Sequence, residues 1–184
     1  MIAIRVLLAA LALLVAAPGV SADQNDPRLP ALFEALKAAP GVGDALPIED
    51  RIWTLWLRSN DALVDGHMER GMTAMARGDF GGALAAFDDV VHAAPDFAEG
   101  WNKRATASYL VGDFAASVRD IGKTLGLEPK HFGALSGLGL IYLAVGSDAG
   151  ALKAFEKALE IHPFLPGAKT HVEELRRRLA GNET

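Results

Sequence analysis

The chain has 184 residues, 51% of them hydrophobic, so it is long enough for one domain with a packed core. Its formal net charge of −5 argues against a nucleic-acid partner, which needs a basic face. It contains no cysteine, which excludes disulfides, thiolate-ligated zinc and covalently attached c-type haem.

Residues 1–22 read as a secretory signal peptide. Arg5 supplies the positive start, residues 6–17 are an unbroken apolar run, Pro18-Gly19 breaks the helix, and Val20-Ser21-Ala22 precedes a cut at Asp23. The alternative is an N-terminal membrane anchor. The apolar run falls short of the ~20 residues that a span requires, which favours cleavage after Ala22 and an exported, periplasmic protein. Loss of Arg5 takes the formal charge from −5 to −6. Export without cysteine suits an oxidising compartment whose chemistry goes unused.

Within residues 23–63, the stretches 30–39 and 47–60 read as two helices with a Pro-Gly-rich connection. A strict period follows. Pro95, Pro129 and Pro163 are equally spaced, and Gly78, Gly112 and Gly146 keep the same interval. That period of 34 is the length of a helix–turn–helix repeat. The repeats are residues 64–97, 98–131 and 132–165, each with a helix A, a tight turn and a helix B. Small residues are expected where the two backbones approach, at position 8 of A (Gly71, Ala105, Gly139) and position 20 of B (Ala83, Ala151). An aromatic at position 24 fills the space beside them in repeats 1 and 3, Phe87 and Phe155. Repeat 2 departs most, with Ser117, Ile121 and Thr124 in place of the small, aromatic and small residues. The turn glycines fit a left-handed helix C-terminus, Asp79, Asp113 and Ser147 are candidate caps for the next helix, and Asp96 with Glu99 has the spacing of a cap and its partner. Each proline ends a helix B, because the residue before a proline avoids the helical region. One period back from Phe87 stands Trp53, so residues 30–63 are either a degenerate fourth repeat, which the period favours, or an unrelated hairpin covering the array. Trp53 and Trp56 are expected to pack onto helix A of repeat 1.

In the C-terminal part, residues 166–184, the stretch 169–180 reads as a capping helix. Val172, Leu175 and Leu179 face inward, and the pairs Glu173 with Arg177 and Glu174 with Arg178 lie on a solvated face. Arg176-Arg177-Arg178 is read as part of that face and not as an anion site.

These residues make the chain resemble the tetratricopeptide repeat (TPR) family over residues 64–165. The runs Trp101-Asn102-Lys103-Arg104-Ala105 and His131-Phe132-Gly133-Ala134-Leu135-Ser136-Gly137 resemble, more narrowly, small exported bacterial TPR proteins. The resemblance implies an all-α superhelix whose A helices line a concave groove, so the fold class is a TPR α-solenoid of three repeats with an N-terminal helical hairpin and a C-terminal capping helix. It also implies that groove positions on helix A bind a protein or peptide partner. Here the candidates are Met68, Met72 and Met75 in repeat 1, Asn102, Thr106 and Tyr109 in repeat 2, and Ser136, Leu140 and Leu143 in repeat 3. The three methionines fall at i, i+4 and i+7, suited either to an adaptable groove or to burial under the N-terminal hairpin. Some family members grip a partner's C-terminal carboxylate with cations and amides on successive A helices. Repeat 2 offers Asn102 and Lys103 as candidates, but repeats 1 and 3 offer Met68, Glu69, Ser136 and Gly137 at the matching places, so the charge-assisted bonds for a carboxylate are missing there. Arg70 and Arg104, at position 7, are read as packed by their stems.

No catalytic constellation stands out. The five histidines lack the spacing of a zinc-protease helix, and adjacent acids such as Asp88-Asp89 diverge by ~100° on a helix. The expected function is therefore a non-enzymatic adaptor or scaffold of the bacterial envelope, without metal, cofactor or nucleic acid. The alternatives are a periplasmic assembly or quality-control chaperone with broad weak client binding and, more remotely, a glycan or small-molecule enzyme. Homo-oligomerisation through an exposed end of the array is a further option.

Overall fold

The computed structural model describes residues 23–181, so residues 1–22, where a signal peptide is expected, and the last three residues lie outside the described residues. Among the described residues there are nine helices and no strand: α1 (Leu29–Ala38), α2 (Val42–Trp56), α3 (Ala62–Ala76), α4 (Phe80–Ala93), α5 (Ala98–Leu110), α6 (Phe114–Leu127), α7 (Phe132–Ala144), α8 (Asp148–Ile161) and α9 (Ala168–Gly181). The pairs α3/α4, α5/α6 and α7/α8 are the three repeats, stacked in order, and α9 packs on α8 as the cap.

The local signals act as their chemistry dictates. Gly78, Gly112 and Gly146 adopt φ of 74°, 82° and 75°. Each permits the following N–H to reach back to the preceding helix, as in Asp79 N to Ala74 O (2.9 Å), Asp113 N to Ser108 O (2.9 Å) and Ser147 N to Tyr142 O (2.8 Å). Asp79 and Asp113 then accept from Gly82 N and Ala116 N, whereas Ser147 makes no side-chain cap. Before the repeat prolines, Ala94, Glu128 and His162 turn to ψ of 75°, 91° and 88° and end the B helices. The close approach at position 8 is direct. A Cβ on Gly139 would stand 2.7 Å from the Phe155 ring, and one on Gly71 would overlap Phe87.

The N-terminal pair differs from expectation in two ways. Its second helix starts at Val42 and carries Pro47 inside, several residues before the expected start. The helix tolerates the one hydrogen bond that Pro47 cannot donate because the face containing Ala45, Ile52, Leu55 and Trp56 is buried. More consequentially, α1 and α2 do not stack ahead of α3 as a fourth repeat. The α1 helix packs on α2 and α8, and both helices join a core shared with Phe132, Leu135, Phe155, Leu165 and Leu175. Trp53 and Trp56 therefore pack at the junction of repeats 2 and 3 and not on helix A of repeat 1. Trp56 stacks on His131 at 4.2 Å and 8° and lies 5.1 Å from Phe132, while Trp53 meets Phe132 edge-on at 5.4 Å. The physical reason lies in α3. It turns Glu69, Arg70 and Thr73 outward, so it presents less apolar area than the aromatic surface around Phe132.

The N-terminal segment, from Gln24 through the hairpin, thus straps three successive loops, two between repeats and one between repeat 3 and the cap. Gln24 donates to Asp96 O (2.6 Å) and accepts from Ala98 N (3.1 Å), so it caps α5 in place of the expected Asp96–Glu99 pair. Lys130 sits over the Phe33 ring at 5.1 Å beside the Trp56–His131 stack. Glu49 accepts from Trp53 Nε1 (3.2 Å) and pairs with His162 Nε2 (3.0 Å) in the third loop.

Glu128, buried at the second loop, accepts Lys130 N at 2.8 Å. Burial pushes its carboxyl above the usual 4.5, outweighing that hydrogen bond and the nearby cations. A raised carboxyl stabilises the fold below the unfolded value and loses that contribution as pH rises through the folded value. Glu128→Gln should accordingly raise Tm at pH 7, with the gain fading as pH falls towards 4.5. Thermal melts at pH 7 and pH 4 check this, and an equal shift at both would contradict it.

Candidate binding groove

Helices α5 and α7 face each other across the concave side, with α6 between and below them. They enclose a pocket of about 250 Å³. From α5 come Asn102, Ala105, Thr106 and Tyr109; from α7 come Gly133, Ala134, Ser136, Gly137 and Leu140; Ser117 and Ile121 of α6 and Leu165 complete it. Five of the nine groove residues expected from sequence, Asn102, Thr106, Tyr109, Ser136 and Leu140, are brought together here. The other four are placed elsewhere. Met68 is 1% exposed and belongs to a core cluster with Val64, Phe87, Val90 and Phe97. Met75 packs partly buried against the same cluster, Met72 is 37% exposed, and Leu143 packs at the edge of the repeat 3 core. The methionines do not form one stripe because the first is drawn into the α3/α4 interface. From the N-terminal hairpin, Leu57 at the end of α2 packs against that same cluster.

The pocket's loop-side end is closed by the hairpin. Trp53 lies so close to Gly133 that a Cβ there would stand 2.7 Å from its ring. Lys103 Nζ sits 5.4 Å over the Trp53 ring and pairs with Glu99 Oε1 at 3.0 Å. Lys103, a candidate for gripping a carboxylate, is thereby committed to the protein's own groups.

Glu99 is fully buried and anchors a network. It accepts from Asn102 Nδ2 (3.1 Å) and from His131 Nε2 (2.8 Å). His131 Nδ1 accepts Ala134 N (3.0 Å), so Nε2 carries the proton that faces Glu99. Burial acts to raise the Glu99 carboxyl, but Lys103 and His131 outweigh it and the net shift is below the usual 4.5. The Asn102 amide is thus held in place at the pocket wall, and Thr106 hydrogen-bonds back to Asn102 O at 2.9 Å.

The remaining singled-out residues serve packing. Arg104 binds Asp120 with Nε and Nη2 (2.8 and 2.7 Å) and Asp88 with Nη1 (2.8 Å), its guanidinium 4.7 Å from the Trp101 ring. It ties α4, α5 and α6 together. Arg176 and Arg178 bridge the cap to Glu156 and Asp148 of α8. Among the described residues no three His, Asp or Glu side chains are grouped to hold a metal.

A curved stack of helix pairs with a groove lined by A helices is the architecture of a repeat-built binding scaffold. The tetratricopeptide repeat family model matches residues 68–123 and 111–166, and the chain belongs to this family. It is 37% identical over 157 residues to a TPR repeat-containing protein of Rhizobium etli, covering 85% of this chain and 77% of that one. Among solved structures it resembles the Sgt2 TPR domain from Aspergillus fumigatus, with TM-score 0.61 and 25% identity, covering 66% of this chain and 82% of that one. It also resembles the first TPR of Spaghetti (RPAP3) bound to the HSP90 peptide SRMEEVD. There the TM-score is 0.61 at 22% identity, with 64% of this chain and 94% of that one covered.

Proposed function

We propose that this protein is a non-enzymatic protein-interaction module of the bacterial envelope that holds a segment of a partner protein in the groove between α5 and α7. The pocket carries the reading. It is concave, largely apolar, bounded by rigid helices, and supplied with Asn102, Thr106 and Ser136 as hydrogen-bonding groups. The RPAP3 domain, a neighbour in fold, has an HSP90 peptide bound. That peptide is acidic, whereas no cation lines the pocket here and Lys103 is engaged by Glu99 and Trp53. The segment taken here is therefore uncharged where it meets the pocket. The envelope assignment rests on residues 1–22, with Arg5, the apolar run and the small residues before Asp23.

Tyr109→Glu places a carboxylate in the pocket wall at a half-buried position, so it should abolish capture of a specific partner while leaving the fold intact. The measurement is affinity capture by the mature protein from an envelope extract, with mass spectrometry of what is retained. The same proteins recovered by wild type and Tyr109→Glu would end the groove reading. Many weakly held clients in place of one would favour the chaperone alternative.

A further inference from the structure

The hairpin docks on the array over two buried imidazoles, His131 in the loop ahead of α7 and His162 in the loop ahead of α9. Trp56 stacks on the first, and Glu49 pairs with the second. Each ring uses both of its nitrogens. Nε2 faces a carboxylate, Glu99 at 2.8 Å and Glu49 at 3.0 Å, while Nδ1 accepts a backbone N–H, from Ala134 at 3.0 Å and from Phe164 at 3.3 Å. A neutral imidazole has one donor and one acceptor, whereas an imidazolium has two donors. A second proton on His131 therefore sets Nδ1 against the N–H that it holds, and α7 loses its cap. From α5, Glu99 faces this ring with Lys103 behind it; from its own loop come Glu128 and Lys130; α2 presents Trp53 and Trp56. Glu99 attracts a proton, but Lys103 already shares its charge at 3.0 Å. Burial and the positive end of α7 both resist a cation at this place. Burial also pushes the Glu128 carboxyl up, so acid weakens the compensation it offers. His162 differs. Its Nδ1 contact is longer, and it stands at the C-terminus of α8, where a cation is favoured.

We propose that the hairpin is a strap released by acid: undocking of α1 and α2 lets His131 turn to water and take up a proton, and it withdraws Trp53 from the end of the groove over Gly133. Residues 58–61, between α2 and α3, are the hinge, with Arg58, Asn60 and Asp61 exposed. The docked ring has no lone pair to offer, and the released ring accepts a proton as an imidazole in water does, near pH ~6.5. Docking is therefore at full strength above that value and weakens below it, by at most about tenfold per pH unit for one proton. The array stays folded after release, at lower stability. None of this depends on what the groove holds.

The test is hydrogen exchange of the mature protein, read by mass spectrometry and corrected for the intrinsic rate at each pH. Between pH 7 and pH 5 the protection of α2 should fall about tenfold, while α4 remains the better protected at each pH. His131→Gln keeps one donor and one acceptor but does not titrate, so α2 should lose that pH dependence. His162→Gln should leave the dependence in place or steepen it. Protection of α2 that ignores pH, a wild-type slope in His131→Gln, a slope lost in His162→Gln, or equal loss in α2 and α4 each overturns the proposal. If His131→Gln fails to fold, nitrogen NMR of the wild-type imidazoles decides. His131 should keep its neutral Nε2–H form at pH 5 wherever α2 is protected, and an imidazolium beneath a docked hairpin overturns the release.

Discussion

Trp56→Ala should cost about 3–5 kcal/mol of unfolding free energy, the range for truncating a buried aromatic. Trp56 is 1% exposed and contacts His131, Phe132, Phe33 and Trp53 at ring separations of 4.2, 5.1, 5.9 and 5.2 Å. In an unadorned repeat array each unit touches only its neighbours, and stability is close to a sum of local terms. Here the hairpin links the loops at His131 and at His162, and Gln24 just before it links the loop at Asp96. Loosening it should therefore weaken the array as a whole. Urea unfolding followed by far-UV circular dichroism and by tryptophan fluorescence should give coincident transitions, both shifted to lower urea. If the helical signal kept its midpoint and fluorescence alone moved, the hairpin would be an independent flap and the strap would be wrong.

His131→Ala should also be strongly destabilising, by about 1–3 kcal/mol or more, because removing the imidazole N–H leaves the buried Glu99 carboxylate short of a hydrogen bond. It deprives Glu99 of its 2.8 Å contact, leaves Ala134 N without its cap and empties the face beneath Trp56. Adding Glu99→Gln to His131→Ala should recover part of the loss by removing the buried charge, so the two losses should sum to more than the double variant shows. The pH dependence has a definite sign. Glu99 is held below its ordinary 4.5, so its contribution is complete above pH 4.5 and is lost as pH falls through the folded value. Glu99→Gln should flatten the acid limb of the stability profile, measured by urea unfolding between pH 7 and pH 3. An unaltered acid limb would mean that Glu99 does not carry the charge assigned to it.

The repeat part of the fold was legible because each signal is local. A turn glycine, the capping residue after it and the proline that closes the next helix each act within one or two helical turns, and they recur with one period. The packing of position 8 against position 24 is read with equal ease, since both lie in one repeat. Parts of the groove were legible for the same reason: helical periodicity alone puts Asn102, Thr106 and Tyr109 on one face of α5. Met68 shows the limit. Periodicity placed it with Met72 and Met75, but which part of a face is buried depends on the neighbour, and α4 and Phe97 claimed it. Ile121 stood out in the sequence as a departure from the pattern. That it lines the pocket together with Gly137 became visible only once α7 stood opposite.

The sequence by itself determined the period, the helix ends within the repeats, the three repeats and the cap, because these depend on backbone conformation and on contacts within a single repeat or between adjacent ones. Where the N-terminal hairpin docks was decided only by the tertiary structure. Both α3 and α7 offered an adjacent surface. The choice rested on which could bury Trp53 and Trp56, and His131 and Phe132 lie at the far side of two intervening repeats. No local rule weighs two distant surfaces against each other. That weighing closed one end of the groove with Trp53 over Gly133.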